Sequence, residues 1–240
     1  MFLEKELVKG SKLMEKKFWK LEIASLDIHR IAVLSFFVLV SDVFVVSIIY
    51  PENPLIIMTV FDVLMTSILG IFGVIIANYV NIAVFDAGKE AKEDHRLLQQ
   101  LFLLGLVITA VNTYIWLISY EEVIQYVYWV KMLTPLKAIF LSLRAAIIEE
   151  VIFRVFLFSL LLGTAKRILK NNERTIAIFS SLITSVLFAF MLHGGTNISF
   201  AVGVVLSYVF YKRGLVPVML IHFVGDVIPL VIVSLRIHSF

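Results

Sequence analysis

Long apolar runs dominate the chain, at about residues 31–50, 55–85, 101–120, 138–163, 176–193, 198–211 and 215–235. An α-helix needs roughly 20 predominantly apolar residues to cross the hydrocarbon of a bilayer. None of the runs shows the period-two alternation of a membrane β-strand, and they are too continuous for one. The pattern therefore predicts an all-α fold, a polytopic transmembrane helix bundle of about seven spans. The segment from Glu121 to Met132, with its Tyr, Trp and acidic residues, reads as an interfacial helix; counted as a crossing, it makes an eighth span. The sixth run has too few residues to traverse the core, which predicts that the His193–Asn197 turn before it is recessed in the membrane.

Composition sharpens the class. With 60% hydrophobic residues, 16% charged residues and a mean hydropathy of +0.98 over 240 residues, this is a membrane protein and not a soluble domain. No repeat or long linker divides it, so residues 31–240 read as one integral domain. Residues 1–30 form a basic prefix in which Leu3, Leu7, Met14, Phe18 and Leu21 fall near one helical face among lysines. That pattern predicts an amphipathic helix on an anionic inner leaflet. Lys5 to Lys20 interrupt any apolar core of a cleavable signal peptide.

Charge sets the expected orientation. Threading seven spans with the N-terminus inside puts 16 Lys and Arg on the inner side and three outside, Lys131, Lys137 and Arg236. The expected location is the cell membrane, multi-pass, with a cytoplasmic N-terminus. The net charge of +3 and pI near 9 follow from that asymmetry. They do not indicate nucleic acid, for which no basic motif or compact soluble module is present. The absence of cysteine excludes disulfides, thiolate metal sites and a cysteine nucleophile.

Ionisable groups inside the runs carry the chemistry, because each is expensive in hydrocarbon. Glu149, Glu150 and Arg154 lie within an otherwise apolar stretch from about Ala138 to Gly163. Glu150 and Arg154 are four apart, stacked on one helical face with the acid first, the favourable order for an ion pair. Glu149 points about 100° away and is left without that cation, the setting of a general acid/base. His193 ends the fifth run before Gly194 and Gly195; His222 and Asp226 share one face of the seventh. Counting helical rise from the inner boundary brings Glu149, His193 and Asp226 to similar depth.

These residues carry a resemblance. Glu149-Glu150-Val-Ile-Phe-Arg154 resembles the EExxxR motif of the CPBP family, the type II CAAX prenyl endopeptidases and bacteriocin-processing or immunity proteins also called the Abi family. His193, ending Phe188-Ala-Phe-Met-Leu-His, is similar to the family's FxxxH motif, with Ala189 where the motif has Phe. His222-Phe-Val-Gly-Asp226 is similar to its HxxxN or HxxxD motif, with the acid where the prenyl proteases often have Asn. The motifs fall in the family's order over residues 149–226, which sets the expected catalytic core at about 138–235. The resemblance implies a glutamate-dependent intramembrane endopeptidase without a metal or other cofactor. In it Glu149, assisted by His193, activates water, and His222 and Asp226 stabilise the oxyanion. Glu150 and Arg154 serve as support. The implied partners are the lipid bilayer and a peptide or lipidated protein, for the prenyl proteases a prenylated CaaX substrate that loses its C-terminal tripeptide.

Other readings stand beside it. Two histidines and a carboxylate are also a ligand set for a zinc peptidase, although no HExxH helix is present. Asp42, Asp62 and Arg144, at similar depth around the first outer hairpin, are either an ion or proton route of a transporter or a self-neutralising structural cluster. Bacteriocin processing, immunity and a non-catalytic scaffold are further members of the set.

Overall fold

A computed structural model describes residues 27–47, 49, 55–85, 95–169, 172–193 and 195–237. The expected amphipathic helix lies, over residues 1–26, outside them. Among the described residues the fold is all-helical: α1 (Asp27–Ser47), α2 (Leu55–Tyr79), α3 (His95–Ile118), α4 (Tyr120–Tyr126), α5 (Pro135–Glu150), α6 (Ser159–Leu169), α7 (Glu173–Leu192), α8 (Asn197–Arg213) and α9 (Leu215–Ile237). Four of these, α1, α2, α7 and α9, are long and apolar enough to cross a membrane, and α3 carries a shorter apolar stretch, Phe102–Ile118.

The side-chain distribution is that of a protein whose surroundings are as apolar as its interior. In α2 the buried positions are Thr59, Asp62, Thr66, Gly70, Gly73, Val74 and Ala77, mostly small or polar, while Ile56, Val60, Phe61, Leu64, Phe72 and Ile75 face outward. With no hydrophobic force between helices in lipid, small residues that let backbones approach form the contacts, and large apolar groups meet the tails. Gly73 is the extreme case. A Cβ there would lie 2.6 Å from the Val155 carbonyl oxygen, so only glycine fits between the two backbones.

Several expected boundaries move. α1 is already helical at Asp27, four residues before the apolar run, and Asp27 pairs with Arg30 at 3.2 Å. The long second run is not helical to residue 85: α2 stops at Tyr79, and Asn81 follows with φ 63°. The next residues serve the α8–α9 turn, where the Leu215 N–H donates to the Val84 carbonyl at 2.6 Å. Gly214, at φ 77°, permits that close crossing. Glu121–Met132 is not one helix but α4 and a 3₁₀ turn, Tyr128–Met132, broken at the extended Val127. Neither piece is long enough to cross, which removes the eighth span. α8 has 17 residues, so it rises roughly 26 Å and not the shorter span expected; length alone does not recess the turn before it.

The fourth run holds the main departure from regularity. α5 passes directly into a π-helical segment, Val151–Phe158, which continues into α6. π turns interrupt α-helices mostly as short bulges and often at functional sites. This one packs on α2, with Val151 and Val155 against Gly70 and Gly73, and starts immediately after Glu150. α9 lies at the centre, flanked by α3, α5 and α8, and α7 pairs with α8.

On the side of α1, α2 and α5, Arg144 binds Asp42 through Nε at 2.8 Å and also pairs with Asp62. Arg144 thereby joins the two acids across three helices.

Candidate active site

α5 delivers both glutamates from its last turn. Thr134 caps this helix and Pro135 opens it, which sets its start and hence the position of Glu149 and Glu150 at its end. Glu150 is fully buried and has two partners. Its Oε2 lies 3.1 Å from Arg154 Nε, the expected four-residue pair, retained although the second residue sits in the π segment. Its Oε1 lies 2.6 Å from His222 Nδ1. Arg154 is itself buried, stacks over the Phe188 ring at 4.4 Å and donates weakly to the Gly203 carbonyl at 3.4 Å.

Glu149 points elsewhere, as its register requires. Its Oε2 lies 3.4 Å from His193 Nε2 and 3.6 Å from His222 Nε2, so one carboxylate oxygen faces an imidazole from each of two other helices. Both Glu149 Oε2 and His193 Nε2 are buried atoms without an aligned hydrogen bond, which leaves their polar capacity open toward the shared space. His193 caps the end of α7, where its own N–H and that of Gly195 converge on the Ala189 carbonyl. The aromatic wall missing at Ala189 is supplied one residue earlier: Phe188 packs on the His193 ring at 4.6 Å and edge-on to His222 at 6.2 Å. Phe190 is exposed.

His222 is thus held between carboxylates. Glu150 fixes Nδ1, while Nε2 faces Glu149 and, at 3.3 Å, Asp226 Oδ2. Asp226 meets the same edge of the ring as Glu149, opposite the edge that Glu150 holds. The orienting partner is Glu150, a role that a helical-wheel reading of α5 alone does not reveal. Asn112, on α3, was not among the expected site residues. Its Nδ2 donates to the Gly225 carbonyl at 2.9 Å and to Asp226 Oδ1 at 3.2 Å. A polar side chain in the middle of an apolar run was the available signal.

Most of these groups border one cavity of about 840 Å³, with Glu150 and Arg154 buried behind them. Glu149, His193, His222, Asp226, Asn112 and Arg144 lead its polar side, and apolar residues of α3, α8 and the helices around them line the rest. A few convergent polar groups in an otherwise apolar hollow is the usual composition of a small-molecule or peptide site. Among the described residues no group of three or more His, Cys, Asp or Glu side chains is arranged to hold a metal ion.

Fold and site together define a polytopic helical membrane protein with a carboxylate–imidazole cluster at an internal cavity. Comparison with protein families identifies it more closely: the model of the Rce1-like type II CAAX prenyl endopeptidases matches residues 104–228, just over half of the chain, and the chain belongs to that family. The match begins in α3, so it takes in Asn112 as well as the three motifs. Neither the curated proteins nor the solved structures contain a match.

Proposed function

We propose that this member of a peptidase family is an active intramembrane endopeptidase that uses Glu149 to activate water. The observation that carries the reading is the meeting of Glu149 Oε2 with two imidazole Nε2 atoms at 3.4 and 3.6 Å, on the wall of a cavity. Glu149 takes a proton from a water aligned by His193, and the hydroxide adds to the scissile carbonyl. The His222 Nε2–H, directed by Glu150 behind the ring, donates to the developing oxyanion, with Asp226 beside it. The proton on Glu149 then passes to the leaving nitrogen as the C–N bond breaks, giving a carboxylic acid and an amine. Arg154 neutralises Glu150 and keeps that carboxylate available to His222.

The proposed substrate is a prenylated CaaX tail. A lipidated cysteine partitions into the bilayer beside a membrane-embedded site, and release of the C-terminal tripeptide needs only one peptide bond at the cluster. Detergent-purified protein incubated with a prenylated CaaX peptide should release the tripeptide, as read by mass spectrometry. The rate should survive prolonged treatment with EDTA and phenanthroline, because an imidazole and a carboxylate perform each step above. Loss of activity restored by added zinc would transfer the site to a metallopeptidase mechanism.

The proposed topology counts α3, the continuous run from α5 to α6, and α8 as crossings beside the four long apolar helices, seven in all. It places residues 1–30 on the cytoplasmic side of the cell membrane as a basic interfacial prefix, followed by the integral domain of 31–240 with its core at 138–235. The inward bias of Lys and Arg supports this orientation. The chain has no cysteine, so single cysteines report cleanly. A Lys212→Cys variant should react with a membrane-impermeant thiol reagent only in inverted vesicles, and Lys131→Cys only in intact cells; the opposite pattern reverses the orientation.

A further inference from the structure

Pro229 lies inside α9, one turn beyond Asp226. Proline has no N–H, so the carbonyl four residues earlier loses its helical donor. That carbonyl is Gly225, and a freed carbonyl in the membrane interior must find another donor. It finds the Asn112 amide at 2.9 Å. The second N–H of the same amide reaches Asp226 Oδ1 at 3.2 Å. Both partners are acceptors, which fixes the amide with its nitrogen toward α9 and its oxygen away from it.

From this double contact we infer that Asn112 is a positioning residue for the reaction: anchored on the carbonyl that Pro229 frees, it holds the Asp226 carboxylate in place beside His222 Nε2. Asp226 needs such a hold. Its side chain is 28% exposed, at the cavity, and its other oxygen approaches His222 Nε2 at 3.3 Å. A carboxylate free to swing would either withdraw from the ring or close over the edge that faces Glu149. The Asn112 bond ties one oxygen to α3 and leaves the other to the imidazole. Pro229, the carbonyl it releases and the amide that fills it thereby make α3 part of the site, although α3 carries none of the three motifs.

The inference rests on the peptidase reading, and a two-variant design separates them. Asn112→Ala should lower the melting temperature, by uncovering the Gly225 carbonyl, and lower kcat with little change in KM; a misplacement of about 1 Å costs on the order of 10²-fold. Adding Pro229→Ala supplies the missing backbone N–H to Gly225. The double variant should therefore recover the melting temperature while kcat stays low, because Asp226 is still untethered. In an Asp226→Ala background, Asn112→Ala should cost no further activity. Recovery of kcat together with stability in the Asn112→Ala/Pro229→Ala protein would show that Asn112 only fills a carbonyl, and unchanged kcat in Asn112→Ala would likewise overturn the assignment. A parent protein that cleaves no prenylated peptide removes the peptidase reading, and this role with it.

Discussion

A Glu149→Gln variant should insert and melt like the parent protein yet lose about 10²- to 10⁴-fold in the rate of peptide hydrolysis, the range that a positioned general base supplies. Glutamine has the shape of the glutamate it replaces, so it preserves the packing at the end of α5. It also retains an oxygen that can accept a hydrogen bond from His193 or His222, which face the carboxylate at 3.4 and 3.6 Å. What it cannot do is take a proton from water. The loss should therefore fall on kcat, with binding of the peptide little changed. Initial rates by mass spectrometry, read with a thermal melt of the same preparation, provide the check. A variant within a few-fold of the parent rate would remove Glu149 from the chemistry.

Glu150→Gln should behave differently, losing both stability and activity. Glu150 is fully buried and is the carboxylate partner of Arg154, which is also buried. Removing one member of a buried pair leaves the other charge uncompensated, at a cost of roughly 3–5 kcal/mol. The same substitution weakens the 2.6 Å contact that sets the His222 ring. The two effects are separable. Replacing Arg154 by methionine in the Glu150→Gln background removes the uncompensated charge and should recover much of the melting temperature, since a buried pair exchanged for apolar volume is often neutral. Hydrolysis should stay low, because His222 Nδ1 still lacks its carboxylate. Full activity in the double variant would reduce Glu150 to a counter-ion of Arg154. A parent-like melting temperature in Glu150→Gln alone would show that the pair contributes nothing to the fold.

The contrast between the two adjacent glutamates is largely legible in the sequence. Consecutive residues on a helix point about 100° apart, so one of them has to leave the Arg154 face. That inference is local, and it survives the passage into a π segment because the side chains are long enough to absorb the altered turn. The π segment itself is not legible. Its sequence is more apolar than the helices on either side, which hydropathy reads only as more of the same span, and the widened backbone is matched to Gly70 and Gly73 of a distant helix rather than to any residue pattern of its own. The end of α2 escapes for a related reason: apolar residues continue past Tyr79 into a turn that another helix pair requires, and hydropathy does not distinguish the two; α8 errs the other way, its last turn running on into Lys212 and Arg213, which an apolar run leaves out.

The sequence by itself determined the solvent, the helical class, and the ionisable residues that had to be exceptions to both. Those properties follow from the cost of exposing backbone and charge to hydrocarbon, and that cost is counted residue by residue along the chain. Only the tertiary structure decided which exceptions meet. Glu150 finds His222 72 residues away and Asn112 finds Asp226 114 residues away, while Asp42, Asp62 and Arg144 close on one another. Phe188 rather than its neighbour walls the His193 ring, because rotation of α7 against the α5–α6 run settles which side chain faces inward. Pairings of this kind depend on helix rotation and register within the bundle, which packing of the whole chain sets and no single helical segment encodes.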